Sequence, residues 1–131
     1  MVIVDTSAWI EYLGDGLPAV VEAVDSCLDK KLVGIGDLIY CEVMQGIRRK
    51  RQRDQVSALL LSLPEFNMVG FRIAEKSAHN YRLLRSLGVT VRKTIDVLIA
   101  TFCAENGFQL VHNDRDFDLM AEHIGLKIFK A

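Results

Sequence analysis

Four carboxylates stand in or beside apolar segments where carboxylates are uncommon. Asp5 follows the β-branched run Val2-Ile3-Val4, and Asp114 comes two residues after Phe108-Gln109-Leu110-Val111-His112. Glu42 interrupts Leu38-Ile39-Tyr40-Cys41-Glu42-Val43-Met44 with no cation four residues on, because that residue is Gly46. Asp96 lies in Thr94-Ile95-Asp96-Val97-Leu98-Ile99-Ala100. Each has an ordinary explanation when taken alone: Asp5 or Ser7 and Asp114 as helix caps, Asp96 as a charge favoured at a helix N-terminus, Glu42 reaching water along its stem. If the fold gathers all four, like charges ~5 Å apart at an effective dielectric of ~20 repel by ~3 kcal/mol per pair. Such a cluster needs protons or cations. An oxygen-only donor set suits hard ions such as Mg²⁺ or Mn²⁺, and no histidine or cysteine spacing argues for zinc.

The pattern along the chain supplies elements able to gather them. Residues 2–5 read as a buried strand and 7–13 as a short helix closed by Gly14-Asp15-Gly16. Pro18 suits the first position of a helix running to about residue 31, and residues 32–35 form a short strand. Asp37 is expected to cap a helix to about residue 50; a further helix spans 53–63 and Pro64 stops it. A strand over 67–71, a helix over 73–87, a helix over 95–105 capped by Thr94 and ended by Asn106-Gly107, a strand over 108–112, a helix over 114–123 and a strand over 126–129 complete the pattern. Alternating strands and helices imply an α/β chain with a mostly parallel sheet of four or five strands, covered on both faces. Ligands of open α/β sheets bind beyond the carboxyl ends of the strands, which is where Asp5 and Asp114 fall.

The chain of 131 residues, half of them hydrophobic, fits one domain with its own core. Its net charge of −1 conceals segregation. Residues 1–47 carry 2 basic and 8 acidic side chains, residues 48–93 carry 11 and 3, and residues 94–131 carry 3 and 6. The densest basic stretch is Arg48-Arg49-Lys50-Arg51-Gln52-Arg53, either a solvated helix end favoured by the dipole of the preceding helix or a phosphate-binding surface. Cys27, Cys41 and Cys103 are an odd number without a CxxC pair, and read as buried thiols of a reducing compartment. A secretory leader is not recognisable at the start and no apolar run approaches the ~20 residues of a membrane span, so a cytoplasmic chain with no membrane partner is expected.

The stretches VDTSAWIEYL, the mid-helix Glu42, TIDVLIATFCAENG and LVHNDRDFDLMAEH, in this order and spacing, resemble the PIN-domain ribonucleases, specifically the VapC toxins of prokaryotic toxin–antitoxin pairs. The resemblance covers essentially the whole chain. It implies a single PIN domain over 1–131, a three-layer α/β/α fold, and an acidic quartet of Asp5, Glu42, Asp96 and Asp114. It further implies Asp116 as an auxiliary acid, with Thr6 or Ser7 supporting the site. Asp5, Asp96 and Asp114 would be the metal ligands, and Glu42 would ligate or orient a water. Implied with them are Mg²⁺ (or Mn²⁺), hydrolysis of RNA phosphodiesters, inhibition by a cognate antitoxin, and a homodimer or toxin–antitoxin hetero-oligomer. Arg48, Arg49, Lys50, Arg51 and Arg53 would hold the RNA backbone. One departure is His112, where many members have threonine.

Rival readings meet particular obstacles. A haloacid-dehalogenase-like phosphohydrolase needs an acid two residues after Asp5, where Ser7 stands, and a receiver domain needs an adjacent acid pair after its first strand. A metal-free ribonuclease could draw on two of His79, His112 and His123. A non-catalytic RNA-binding or protein-interaction module would use the basic stretch and leave the inward acids unexplained.

Overall fold

A computed structural model describes residues 1–130. Val2–Val4 forms strand β1, and all three residues are buried, as expected of a strand covered on both faces. It pairs in parallel with β2, Val33–Gly36, on one side and with β4, Gln109–Val111, on the other. Beyond β2 lies β3, Glu65–Phe66, and beyond β4 lies β5, Lys127–Ile128. The sheet order is thus β3-β2-β1-β4-β5, parallel throughout. Strand order reverses between β1 and β4, and this reversal opens a crevice beyond their carboxyl ends.

Among the described residues the connections are helices: α1 Thr6–Leu13, α2 Pro18–Asp29, α3 Asp37–Gln45, α4 Lys50–Leu61, α5 Gly70–Ser86, α6 Thr94–Asn106 and α7 Arg115–Ile124. They pack in two groups, α1 with α2 and α3 and α3 with α4, then α6 with α5 and α7. Trp9, Ile39, Leu60, Ile99, Phe117 and Met120 are fully buried with Ile3 and Leu110 of the sheet. Pro18 opens α2 and Gly107, at φ 67°, ends α6, both as the sequence suggests.

Several local expectations give way. The third strand lies at 65–66 rather than 67–71: the Pro64 carbonyl accepts from Ile35 N, which sets the register, and the Asp37 carboxylate accepts from Met68 N at 3.0 Å and draws the following chain out of the sheet. Asp37 accordingly does not cap α3; Gly36 does, without a side-chain bond. Nor does Thr94 cap α6, whose cap residue is Lys93. Helix α3 ends at Gln45 before Gly46, so the basic stretch does not trail that helix but straddles the link and the start of α4. Cys27 and Cys103 are buried, whereas Cys41 is exposed on α3.

Candidate active site

Asp5 and Asp114 are N-cap residues of α1 and α7, the helices that leave the two adjacent strands β1 and β4. Asp5 Oδ2 accepts from Ser7 N at 3.0 Å and from Ser7 Oγ at 2.6 Å. The Ser7 hydroxyl accepts in turn from Asn113 N at 2.9 Å, tying the turn after β1 to the turn after β4. Asp114 Oδ1 accepts from Asp116 N at 3.0 Å. Capping and chemistry are compatible here: each cap uses one carboxylate oxygen, and the helix N-termini favour the negative charge.

Thr6 and Ser7 hold different acids. The Thr6 hydroxyl donates to Glu42 Oε1 at 2.8 Å, so the mid-helix acid, which has no cation on its own helix, is fixed from α1. His112, where the sequence departs from the family pattern, bonds through both ring nitrogens. Its Nδ1 accepts from Asp114 N at 3.0 Å and its Nε2 lies 3.0 Å from Asp118 Oδ1, so the imidazole presents an acceptor to the turn that aims Asp114.

Asp96, in the first turn of α6, is only 5% exposed. Burial first, and then the charges of Asp5, Asp114 and Glu42, push its carboxyl up to about 7 against the opposing pull of Lys93. One carboxylate oxygen each from Asp96, Asp114 and Asp116 lie within 4.8 Å of one another, a group of a size that can hold a metal ion. The trio includes Asp116, expected only as an auxiliary, and does not include Asp5. Yet Asp5 Oδ1 and Asp96 Oδ2 are buried carboxylate oxygens with no hydrogen-bond partner. Unpaired buried acceptors are costly, and the charge of Asp5 acts on Asp96. A hard divalent cation held by Asp96, Asp114 and Asp116 would offset this charge, so the oxygen donor set fits such an ion.

The basic stretch divides. Arg48 and Arg49 line a cavity of about 500 Å³ together with Glu42, Ile10, Leu13 and Ile47. Lys50 pairs with Asp54 at 3.0 Å on the exposed face of α4, and Arg51 and Arg53 are exposed further along that helix. Sequence reasoning passed over Arg92, Lys93 and Arg115, which line a second cavity with Asp114 and Asp116. Their closeness in sequence to Asp96 and Asp114 was the available signal. His79 and His123 are exposed on α5 and in the last turn of α7.

The family model of the PIN domain matches residues 2–123. Ribonuclease VapC11 of Mycobacterium tuberculosis is 35% identical over 133 aligned residues, spanning 97% of this chain and 96% of that protein. The structure of DNA-bound VapBC from Salmonella typhimurium superposes with a TM-score of 0.76 at 19% identity, covering 98% of this chain and 96% of that one. VapBC2 from Rickettsia felis, bound to a promoter DNA fragment, does so with 0.75 at 16% identity, covering 99% and 98%. These two share the fold. Together with the parallel sheet and the acids at its carboxyl edge, the family match and the relative establish that the chain belongs to the PIN-domain family and, within it, to the VapC ribonucleases.

Proposed function

We propose that this chain is a Mg²⁺-dependent ribonuclease of the VapC toxin type, also able to use Mn²⁺, that acts in the cytoplasm and is held inactive by a cognate antitoxin. The observation that carries the reading is the pair of unpartnered buried oxygens, Asp5 Oδ1 and Asp96 Oδ2, within an acidic cluster. Asp96, Asp114 and Asp116 would hold the ion, with Asp5 contributing directly or through water. When bound, the ion supplies Lewis acidity for activating water and stabilising the departing oxygen at a phosphodiester. The chain's own residues do the positioning. Ser7 locks Asp5 and joins the two turns, and Thr6 holds Glu42, which orients the attacking water. His112 fixes the turn that presents Asp114. Arg48 and Arg49 meet the RNA backbone beside Glu42, and Lys50, Arg51 and Arg53 extend the positive field along α4. Five basic residues at the positive end of a helix dipole, where cations are disfavoured, favour a phosphate-binding role over a solvated helix end.

The antitoxin reading draws on the solved relatives, which are VapBC complexes. The cavity beside Glu42 offers the exposed Ile10 with Leu13 and Ile47 to an apolar partner segment. A cation on that segment would answer the cluster's charge in place of the metal. A toxin–antitoxin hetero-oligomer, or a homodimer of the free toxin, follows from the same reading.

The test is cleavage of cellular RNA by the purified chain with Mg²⁺, with mapping of the product ends. The expected result is 5′-phosphate and 3′-hydroxyl ends, lost with EDTA and in Asp5→Asn. Cleavage that persists in EDTA, or 2′,3′-cyclic phosphate ends, would overturn the metal mechanism in favour of a histidine pair.

A further inference from the structure

Arg92 and Lys93, just before α6, and Arg115, the first residue of α7, wall a cavity of about 530 Å³ whose other lining includes Asp114 and Asp116. All three basic side chains are exposed. Among the described residues none forms an ion pair, although two carboxylates line the same cavity. Lys93 opposes the charge of Asp96, but no ion pair accounts for Arg92 or Arg115. Lys93 and Arg115 stand at the N-termini of their helices, where the dipole disfavours a cation. Leu119 is the one large apolar side chain of the lining, unlike the cavity beside Glu42, so an apolar peptide would find little to bury here. A diffuse anion adjoining the acidic cluster answers all of this.

The cluster therefore has cations on two sides. Arg48 and Arg49 share a cavity with Glu42, and Arg92, Lys93 and Arg115 share another with Asp114 and Asp116. The two cavities share no lining residue, and each holds an acid whose charge acts on Asp96. We propose that Arg92, Lys93 and Arg115 form a phosphate subsite for the nucleotide adjoining the bond to be cut, on a different flank of the acidic cluster from Arg48 and Arg49. This deepens, and rests on, the ribonuclease reading. A strand crossing the cluster would be gripped before and after the scissile bond, which fixes the phosphodiester over the acids rather than merely raising its local concentration.

The test uses Arg92→Ala/Arg115→Ala, which keeps Lys93 and its charge near Asp96. With a short, fluorescein-labelled, mixed-sequence RNA in an Asp5→Asn background, anisotropy should show the slope of log affinity against log salt falling by about 0.7 for each phosphate no longer neutralised. In otherwise wild-type protein the double change should raise KM for RNA on the order of tenfold. The Arg92→Lys/Arg115→Lys protein should recover most of both effects, and Mn²⁺ affinity should be unchanged. An unaltered salt slope with unaltered KM overturns the subsite while leaving the nuclease intact. Unaltered RNA binding with loss of antitoxin binding overturns it too, assigning the cavity to an acidic protein segment. If the wild-type chain cuts no RNA, the ribonuclease reading falls, and the subsite that rests on it falls too.

Discussion

Replacing Asp96 with asparagine should stabilise the metal-free protein, by an amount that depends on pH. The Asp96 carboxyl is raised from 3.8 to about 7, chiefly by burial and then by its acidic neighbours. Between those values the folded chain holds a proton that the unfolded chain has released. Stability therefore falls as pH rises, by about 1.4 kcal/mol per unit in this window. Below about pH 4 the carboxyl is protonated in both states and the penalty is absent; above about pH 7 it is fully present, with a ceiling of about 4 kcal/mol. The substituted amide carries no such charge but must find partners of its own, so a gain of about 2 to 4 kcal/mol at pH 8 is expected. For a domain of this size that is a rise in Tm on the order of 10 °C. Urea melts of both proteins in EDTA, at pH 4.5, 6 and 8, measure it, and the comparison reports Asp96 together with its repulsion of Asp5, Asp114 and Glu42. A stability difference that does not grow between pH 4.5 and 8 would refute the reasoning. So would a variant less stable than wild type at pH 8. Adding Mn²⁺ should narrow the gap by stabilising only the wild type.

Other perturbations separate the remaining parts of the site. Thr6→Val removes the donor to Glu42 and should lower kcat on the order of tenfold while Mn²⁺ affinity stays within about twofold; equal loss of both would put Thr6 in the metal site instead. In native protein only Cys41 should react quickly with a thiol reagent, because Cys103 is buried and pushed up to about 12 and Cys27 is also buried and raised, whereas all three react after denaturation. Gly36→Ala would drive a methyl group into the Met68 side chain beside the third strand and should cost about 1 to 3 kcal/mol, read as a lower midpoint in urea.

The central strands and the acids that follow them were legible because the signals are local. Three consecutive apolar β-branched residues and then Asp5 specify a covered strand and a cap, and the apolar Leu110-Val111 followed within three residues by Asp114 gives a shorter form of the same signal. The third strand was misplaced because its position depends on a contact 31 residues away, Asp37 to Met68, which no window of sequence displays. The end of α3 was missed because Gly46 interrupts a run of residues that otherwise suit a helix. At the site, residue types could nominate Asp5, Glu42, Asp96 and Asp114, but not how they are held. That Thr6 serves Glu42 across 36 residues while Ser7 serves Asp5 across two is a property of helix packing. Asp116 is near Asp114 because both belong to the start of α7, two residues apart, but the closeness of this pair to Asp96 exists only in three dimensions.

Titration of the purified chain with Mn²⁺, followed by electron paramagnetic resonance of the free ion, shows whether the acidic cluster holds a divalent cation. Saturable binding is expected that weakens by at least about tenfold in Asp96→Asn and in Asp114→Asn, with displacement by Mg²⁺ and proton release on binding near pH 6.5, where Asp96 gives up its proton. Absence of saturable binding, or binding undiminished in both variants, would contradict it.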